Sequence, residues 1–191
     1  MTRGAIDLSF ETPRVKARLL CEDDLDLYLA LYTDPEVMRH VGPVMGTESA
    51  AAQFGKALAL NREEARRVRY WSAYSLEDEV VSPLGILSAA WRETSRSPVE
   101  IGIMLLGRMQ RSGLGRQLLI GLIDALFDDA GLGVDMVTAR HLSQNVAARK
   151  LFSCVGFSTS VDEDSRMEMR MLTSQQWHRR VSSLALAPVS S

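Results

Sequence analysis

The sequence has few cysteines, no excess of positive charge and no long apolar run. Its two cysteines, Cys21 and Cys154, lie far apart, which argues against a disulfide framework and against a zinc site. The formal net charge is −2, from 22 Lys and Arg against 24 Asp and Glu, whereas proteins that bind nucleic acid directly usually carry a basic excess. No apolar stretch is long enough to span a bilayer. Residues 1–13 contain no apolar run of signal-peptide length, so we expect a cytoplasmic protein without membrane association.

The bulk composition is that of one globular domain. The chain has 191 residues, of which 46% are hydrophobic and 24% are charged. This length supports one full-sized core and is short for two domains. We expect the domain to span residues 1–181. The final segment, 182–191, is small and polar, and we expect a flexible tail there.

The first half of the sequence predicts one strand, three helices and a β meander. Residues 15–20 predict a strand, and an acidic turn at 22–24 precedes an apolar helical stripe over 25–32. Asp34-Pro35 predicts the start of a second, short helix, and a third helix follows over about 47–67. Three β-rich segments joined by short polar loops predict an antiparallel meander, at residues 69–76, 80–91 and 99–106.

The second half alternates helices with strands. A wide apolar stripe predicts a helix over 114–127, and a strand follows at 134–139. A residue within 143–145 can cap a further helix that ends at Gly156. This order predicts an α+β fold around one mixed sheet, in which the strand at 134–139 runs parallel to the last strand of the meander.

The last predicted strand has an alternating pattern. Met167, Met169 and Met171 alternate with Glu168 and Arg170, which predicts a strand with one polar face. We expect the methionines in the core or at a contact between two copies of the chain, because methionine adapts to irregular apolar packing.

The most informative segment lies between a predicted strand and the best-defined helix, and it reads Gln110-Arg111-Ser112-Gly113-Leu114-Gly115-Arg116. Its glycines remove the Cβ atoms that would keep a ligand from the backbone. The first N–H groups of the helix lack intrahelical partners, so this end of the helix can bind an anion. The alternative is an ordinary strand–helix turn with solvated arginines. This segment lacks the Gly-Lys-Ser/Thr of a P-loop and the third glycine of a dinucleotide fingerprint.

This segment resembles the signature of the GNAT acyltransferase superfamily, which Gln110, Gly113 and Gly115 match. Residues 15–172 contain further similar elements in the same order, some of them similar to the branch of Rim-type ribosomal-protein N-terminal acetyltransferases. The resemblance implies a GNAT-type fold with a single, mostly antiparallel sheet flanked by helices. It also implies that a bulge in the fourth strand splays this strand from the fifth. The further elements are Arg18-Leu19-Leu20 before an acidic helix, Asp34-Pro35-Glu36-Val37-Met38, Glu100-Ile101-Gly102, and Asn145 with Gly156-Phe157.

The same resemblance implies a site for coenzyme A as cosubstrate. The pantetheine arm would meet the backbone of the fourth strand, and the glycine turn would hold the pyrophosphate. Many members of the family have a tyrosine that serves as the acid for the leaving thiolate, but Phe152 stands there and cannot donate a proton. The residues that the resemblance assigns to the coenzyme are Met104, Leu105, Leu106, Gln110, Arg111, Ser112, Gly113, Leu114, Gly115, Arg116, Asn145 and Phe152.

Aminolysis of a thioester needs a base for the amine and a donor for the developing oxyanion. Glu100, at the start of the fourth strand, is our candidate base, directly or through a water; the alternative is an exposed strand residue paired with a cation. His141, after the next strand, is the second candidate because histidine titrates near neutrality; the alternative is a solvated loop residue. Trp71, Tyr74 and Trp91 can wall the acceptor groove or belong to the sheet core.

These observations predict an N-acetyltransferase. It would move an acetyl group from acetyl-CoA to a primary amine by direct attack in a ternary complex, without a metal. The acceptor would be a protein N-terminus or a small-molecule amine. The alternative is a non-enzymatic domain that binds acetyl-CoA or regulates another protein. The resemblance is compatible with both a monomer and a homodimer.

Overall fold

The computed structural model of the chain describes residues 8–63, 68–77, 81–91, 98–110, 112–128, 132–160 and 166–185. Within these ranges no helix is long and apolar enough to cross a membrane. The strands are β1 (Phe10–Glu11), β2 (Val15–Leu19), β3 (Val68–Ser75), β4 (Ser82–Trp91), β5 (Val99–Leu105), β6 (Met136–Leu142), β7 (Ser158–Ser160) and β8 (Met167–Thr173). The helices are α1 (Leu25–Tyr32), α2 (Pro35–Met38), α3 (Thr47–Arg62), α4 (Leu114–Asp128), α5 (Val146–Val155) and α6 (Ser174–Ala185).

Local sequence signals set several helix boundaries. The side chain of Asp34 accepts hydrogen bonds from two backbone N–H groups of α2, and Pro35 is the first residue of that helix, as the sequence predicts. The side chain of Asn145 accepts from the N–H of Ala148 at 3.0 Å and caps α5. Gly156 ends α5 in the left-handed conformation with a φ of 113°. These predicted boundaries are confirmed.

The strands form one sheet in the order β1-β2-β3-β4-β5-β6-β8-β7. Neighbouring strands are antiparallel except for β5 and β6, which are parallel. The parallel pair requires a crossover connection, which α4 provides. The predicted α+β fold, with one mixed and mostly antiparallel sheet flanked by helices, is confirmed.

The sheet splays apart between β5 and β6. Each of these strands has seven residues, but they pair only at Val99 with Val137 and at Glu100 with Thr138. On its other edge β5 pairs with β4 along its whole length. A gap therefore opens after Glu100, as the GNAT resemblance implies.

The bulge expected in the strand before the gap is not found there. The register between β4 and β5 is continuous over all seven described pairs. The irregularity lies one strand away, where the register between β3 and β4 shifts between Ala73 and Tyr74. The short pairing of β5 with β6 is thus enough to separate the two strands.

The two faces of the sheet are covered by different helices. On one face, here called the α4 face, side chains such as Val99 and Ile101 pack in a core with α4 and α5. On the opposite face, called the α1 face, Ile86 and Met104 pack with α1 and α3. Because successive strand residues point to opposite faces, position in the strand decides which of the two environments a side chain enters.

Three predicted segments differ from the structure. The strand expected at 134–139 is β6, which begins at Met136 and continues to Leu142. The helix expected over 47–67 ends at Arg62, and residues 64–67 lie outside the described residues. Helix α6 continues to Ala185, so the first part of the expected tail is helical, whereas residues 186–191 lie outside the described residues.

The polar face expected for β8 is present, but the arginine on it is buried. Arg170 is only 4% exposed and lies on the α4 face, whereas Met167, Met169 and Met171 on the other face are half-buried. The physical reason is pairing, because Arg170 donates to Thr159 Oγ1 at 2.6 Å and to a carboxylate oxygen of Glu168. A buried arginine with such partners can occupy a core position.

Candidate active site

The glycine turn connects β5 to the N-terminus of α4. A short 3₁₀ turn over Gly107–Met109 leads into it, and Gly113 has a φ of 83°. Residues that have a side chain rarely adopt this left-handed backbone conformation without strain. Gly113 is exposed, so the backbone at the start of α4 is accessible there.

Backbone donors remain available at this end of α4. The N–H of Leu114 donates to Ser112 Oγ at 3.3 Å, and the Ser112 hydroxyl donates to the carbonyl of Met109 at 2.8 Å. In the described part of the chain, the N–H groups of Gly113 and Gly115 donate to no other atom. The helix therefore begins with two donors of the kind that bind anions.

Gly115 has a different role from the one its sequence position indicates. It is buried, and a Cβ there would lie 2.9 Å from the Leu105 side chain of β5. The missing side chain thus allows α4 to approach β5 rather than a ligand to approach the backbone. Only the N–H of Gly115 remains a candidate ligand contact.

The polar side chains of the turn are exposed. Ser112 and Arg116 are open to solvent, and the side-chain amide of Gln110 donates to the carbonyl oxygen of Leu105 at 3.3 Å. Gln110 therefore ties the turn back to β5. The predicted contact of Arg111 lies outside the described residues.

The edge of β5 that faces the gap offers backbone groups from alternate residues. The N–H of Leu106 donates to the carbonyl of Leu84 in β4 at 2.9 Å. Successive residues of a strand direct their N–H and C=O groups to opposite edges. The N–H and C=O groups of Ile103 and Leu105 therefore point into the gap. The backbone groups of Met104 and Leu106 are turned to β4, so of the three predicted pantetheine contacts only that of Leu105 stays a prediction.

Asn145 lies in the loop after β6, on the far side of the gap. Its side-chain oxygen is occupied by the cap of α5, and its side chain is half-buried. In the described residues its amide nitrogen has no hydrogen-bond partner. That nitrogen can donate to a ligand, so the predicted coenzyme contact of Asn145 stays a prediction.

Phe152 is a core residue. Its side chain is 3% exposed, its ring stacks on His141 at a centroid distance of 6.0 Å, and it meets Phe157 edge-on at 5.1 Å. The ring is enclosed by these neighbours, so the predicted coenzyme contact of Phe152 is corrected to packing. Phe152 cannot act as an acid for a leaving thiolate in any case.

His141 is not the loop residue expected from the sequence, because it lies inside β6 and is 5% exposed. Its Nδ1 is 2.9 Å from the carbonyl oxygen of Leu142, and its Nε2 is 3.3 Å from Nε of Arg170. Arginine nitrogens only donate, so Nε2 accepts and Nδ1 carries the proton. Both ring nitrogens thus have partners, and together with the burial of the ring this favours a structural role for His141.

Glu100 lies at the point where the gap begins. It stands between Ala90 of β4 and Thr138 of β6, and its half-buried side chain is on the α1 face. The neighbouring positions Ser88, Ala90 and Gly102 carry small residues and are only partly buried, although they belong to central strands. This part of the α1 face is therefore open, and Glu100 stands at its edge.

The aromatic residues predicted for the acceptor groove are placed elsewhere. Trp71 is fully buried on the α4 face, and Trp91 packs against the same core. Tyr74 is on the α1 face, but its hydroxyl is bound to Asp24 and accepts from Arg18 at 2.7 Å. A groove role for these three is corrected.

Tyr70, which is not among the predicted groove residues, is a further aromatic residue on the α1 face. It pairs with Ser88 across the sheet and is partly buried against the core of the α1 face. Burial raises its pKa, so its hydroxyl is neutral at ordinary pH. Successive residues of a strand point to opposite faces, so Tyr70 shares the face of Glu100 and Trp71 does not. This alternation is the sequence signal that could have identified Tyr70.

A buried carboxylate anchors the same face near the start of α1. Asp24 is 2% exposed and receives both terminal nitrogens of Arg18, at 2.8 and 2.9 Å, together with the hydroxyl of Ser72 at 2.8 Å. Burial raises the pKa of Asp24, but the hydrogen bonds from Arg18 and its other partners outweigh burial and hold that pKa below its usual value. Burial, followed by the hydrogen bond to Asp24, raises the pKa of Tyr74 to about 12.

Comparisons with known proteins agree with this geometry. Residues 14–158 match the family model of the acetyltransferase (GNAT) domain. No curated protein matches the chain. Among solved structures, the spermidine N-acetyltransferase from Vibrio cholerae, in complex with CoA and spermine, is similar with a TM-score of 0.71 and 15% identity over 87% of this chain and 99% of that one.

Two further solved structures have the same fold. RimL, the ribosomal L7/L12 α-N-protein acetyltransferase in complex with coenzyme A, has a TM-score of 0.73 and 13% identity over 90% of this chain and 99% of its own. An aminoglycoside acetyltransferase in complex with coenzyme A has a TM-score of 0.70 and 20% identity over 86% of this chain and 98% of its own. The family model covers most of the sequence and favours an enzyme over a domain that only binds the coenzyme. The chain belongs to the acetyltransferase (GNAT) domain family and is an acyltransferase.

Proposed function

We propose that the chain transfers an acetyl group from acetyl-CoA to a primary amine by direct attack. The observation that carries this proposal is the position of the gap between β5 and β6, which lies between the open N-terminus of α4 and the half-buried Glu100. A coenzyme bound across these features would extend from a phosphate site to a carboxylate. The family membership supports acetyl transfer.

The phosphate end of the proposed site is the turn before α4. The N–H groups of Gly113 and Gly115 would bind the diphosphate of acetyl-CoA, with Arg116 at the same end of the helix. The edge of β5 would bind the pantetheine amides through Ile103 and Leu105. Asn145 would donate to the coenzyme from the other side of the gap.

The reacting end of the proposed site is next to Glu100. A primary amine is protonated at neutral pH and must lose a proton before it attacks the thioester carbonyl. Glu100 would accept that proton, directly or through a water, while a backbone N–H of β5 polarises the carbonyl. Phe152 provides no acid, so the thiolate would leave with a hydrogen bond from the backbone or from water.

The acceptor is proposed to be a protein N-terminus or a small-molecule amine. The similar structures support this class, since their names include a ribosomal-protein acetyltransferase and a spermidine acetyltransferase. The open part of the α1 face, formed by Tyr70, Ser88, Gly102 and Glu100, would receive the amine. A Rim-type protein substrate is one member of this class.

The variant Gly113→Glu tests the coenzyme site. A side chain at this left-handed glycine is strained, and a carboxylate would repel the diphosphate, so we expect the affinity for acetyl-CoA in calorimetry to fall by more than about 100-fold. Gly55→Glu is the matched control, because Gly55 is exposed on α3 with open space around its Cα. That control should bind acetyl-CoA as wild type does.

Turnover is measured as release of free thiol from acetyl-CoA across a panel of N-terminal peptides, polyamines and aminoglycosides. We expect thiol release with at least one class of amine and its loss in Gly113→Glu. Unchanged binding of acetyl-CoA by Gly113→Glu would contradict the assignment of the phosphate site. Tight binding without thiol release from any amine would contradict the assignment of the acceptor class.

A further inference from the structure

The side chain of Arg14 lies beside the glycine turn although it belongs to the loop before β2. Its Nη2 is 3.4 Å from the carbonyl oxygen of Ser112, which is 98 residues later in the chain. Its Nη1 is 3.8 Å from the position that a Cβ on Gly113 would take. The guanidinium and the free N–H groups at the start of α4 are therefore neighbours.

Glu77 holds the guanidinium in this position. Its Oε1 accepts from Nε of Arg14 at 2.7 Å and lies 2.6 Å from Nη2, and both side chains are 40% exposed. In the part of the chain that the structure describes, Nη1 of Arg14 donates no hydrogen bond. The two N–H donors of Nη1 thus lie near Gly113 and have no partner among the described residues.

This arrangement has the chemistry of a phosphate contact. A guanidinium presents a planar fork of donors that fits phosphate oxygens, and here the fork adjoins backbone donors at a helix N-terminus. An exposed ion pair is weak because water screens it. Glu77 can therefore keep Arg14 in place before binding and share it when a multiply charged phosphate arrives.

We propose that Arg14 binds a phosphate of coenzyme A, as a cation supplied from outside the glycine turn. This inference rests on the proposed function, since it takes coenzyme A as the ligand of that turn. The diphosphate and the 3′-phosphate share the required chemistry. Arg14 adds positive charge to the site from a segment that is distant from the turn in the sequence.

The experiment is calorimetric titration of coenzyme A into four proteins: wild type, Arg14→Gln, Glu77→Gln and Arg62→Gln. Arg62 is the matched control because it forms an exposed ion pair with Glu22 at 2.7 Å, and Glu22 follows β2 whereas Arg14 precedes it. We expect Arg14→Gln to bind coenzyme A about tenfold more weakly. Glu77→Gln should lose less affinity than Arg14→Gln, because the glutamine oxygen can still accept from Arg14. Arg62→Gln should stay within about threefold of wild type, and all four proteins should unfold at similar temperatures.

Further titrations locate the phosphate. If the loss in Arg14→Gln persists with 3′-dephospho-CoA, the contact is to the diphosphate; if the loss disappears, the contact is to the 3′-phosphate. Arg14→Lys should recover part of the affinity, and the difference from wild type should shrink as salt rises. Each of these results supports the proposal.

Three results would overturn the proposal. Equal binding by Arg14→Gln and wild type, with binding lost in Gly113→Glu, would leave the proposed function intact and remove Arg14 from the site. Equal losses in Arg14→Gln and Glu77→Gln would mean that the ion pair matters only as a structural link between two loops. A wild-type protein that binds no coenzyme A would overturn both the inference and the proposed function.

Discussion

The two candidate bases lie on opposite faces of the same sheet, and the contrast favours Glu100 in our proposal. His141 points to the α4 face, where it is 5% exposed and where both its ring nitrogens have partners. Glu100 points to the α1 face, where the small residues around it leave the sheet partly uncovered. Histidine is the better base by its intrinsic pKa, but a base must reach its substrate. The proposal therefore gives accessibility more weight than residue type.

The contrast extends to the other polar groups of the two faces. On the α4 face Arg170, Glu168 and Arg149 form linked ion pairs, with Arg149 Nη2 2.8 Å from Glu168 Oε1. The charges of these side chains are paired with one another, and the pairs link α5 to β8. On the α1 face the corresponding cluster around Asp24 closes one end of the face, and the region beside Glu100 stays open. The closed face thus supports the sheet, while the open region can take a substrate.

The largest effect should come from Glu100→Gln. Removing a general base costs about 10² to 10⁴ in rate, so kcat/KM for thiol release should fall by that factor. The affinity for acetyl-CoA should change little, because the amide keeps the size of the side chain. Wild-type turnover in this variant would show that the open face does not supply the base.

Trp71→Ala should have the next largest effect, on stability. Truncation of a fully buried aromatic side chain costs about 3–5 kcal/mol, and Trp71 is 0% exposed in the core of the α4 face. Urea unfolding measures the loss. Tyr70→Phe, one position away, should cost less than about 1 kcal/mol, and similar losses for both variants would contradict the assignment of their faces.

Asp24→Asn should destabilise the protein by about 3 kcal/mol at pH 7, because it leaves Arg18 without its buried partner. The folded state lowers the pKa of Asp24, so its contribution is fully present above the unfolded value of about 4 and is lost as pH falls through the folded value. The difference between variant and wild type in urea unfolding should therefore shrink below about pH 4. A difference that stays constant down to pH 2 would contradict this origin.

The smallest effect is expected from His141→Gln. Glutamine can replace one of the two hydrogen bonds of the imidazole, so the free energy of unfolding should fall by about 1 kcal/mol. Thiol release by the folded variant should remain within about threefold of wild type. A loss of kcat comparable to that of Glu100→Gln, with stability unchanged, would support His141 as the general base.

Local patterns predicted most of the fold. Caps such as Asp34 and Asn145, the stripe of α4 and the meander of aromatic strands depend on neighbours in the sequence, and the structure has each of them. The glycine turn was also found where predicted. These features need only the chemistry of a short segment, which a sequence displays directly.

The errors arose where a partner from a distant segment decides the environment. His141 and Arg170 have the polarity of solvated residues, but they meet each other across 29 residues of sequence. The groove prediction named Trp71 and not Tyr70, because the pattern does not show which face of the strand is left partly uncovered. Arg14 was missed because its contact with Ser112 is made entirely by the fold.

The short pairing of β5 with β6 has a consequence for amide exchange. Only two residue pairs join these strands, so the inner edge of a central strand lacks the neighbour that normally protects it. Amide hydrogens of Ile103 and Leu105 should exchange with solvent faster than that of Leu106, which is bonded to β4. A molecule that fills the gap would slow the first two and leave the third unchanged, and the exchange pattern would report occupancy residue by residue.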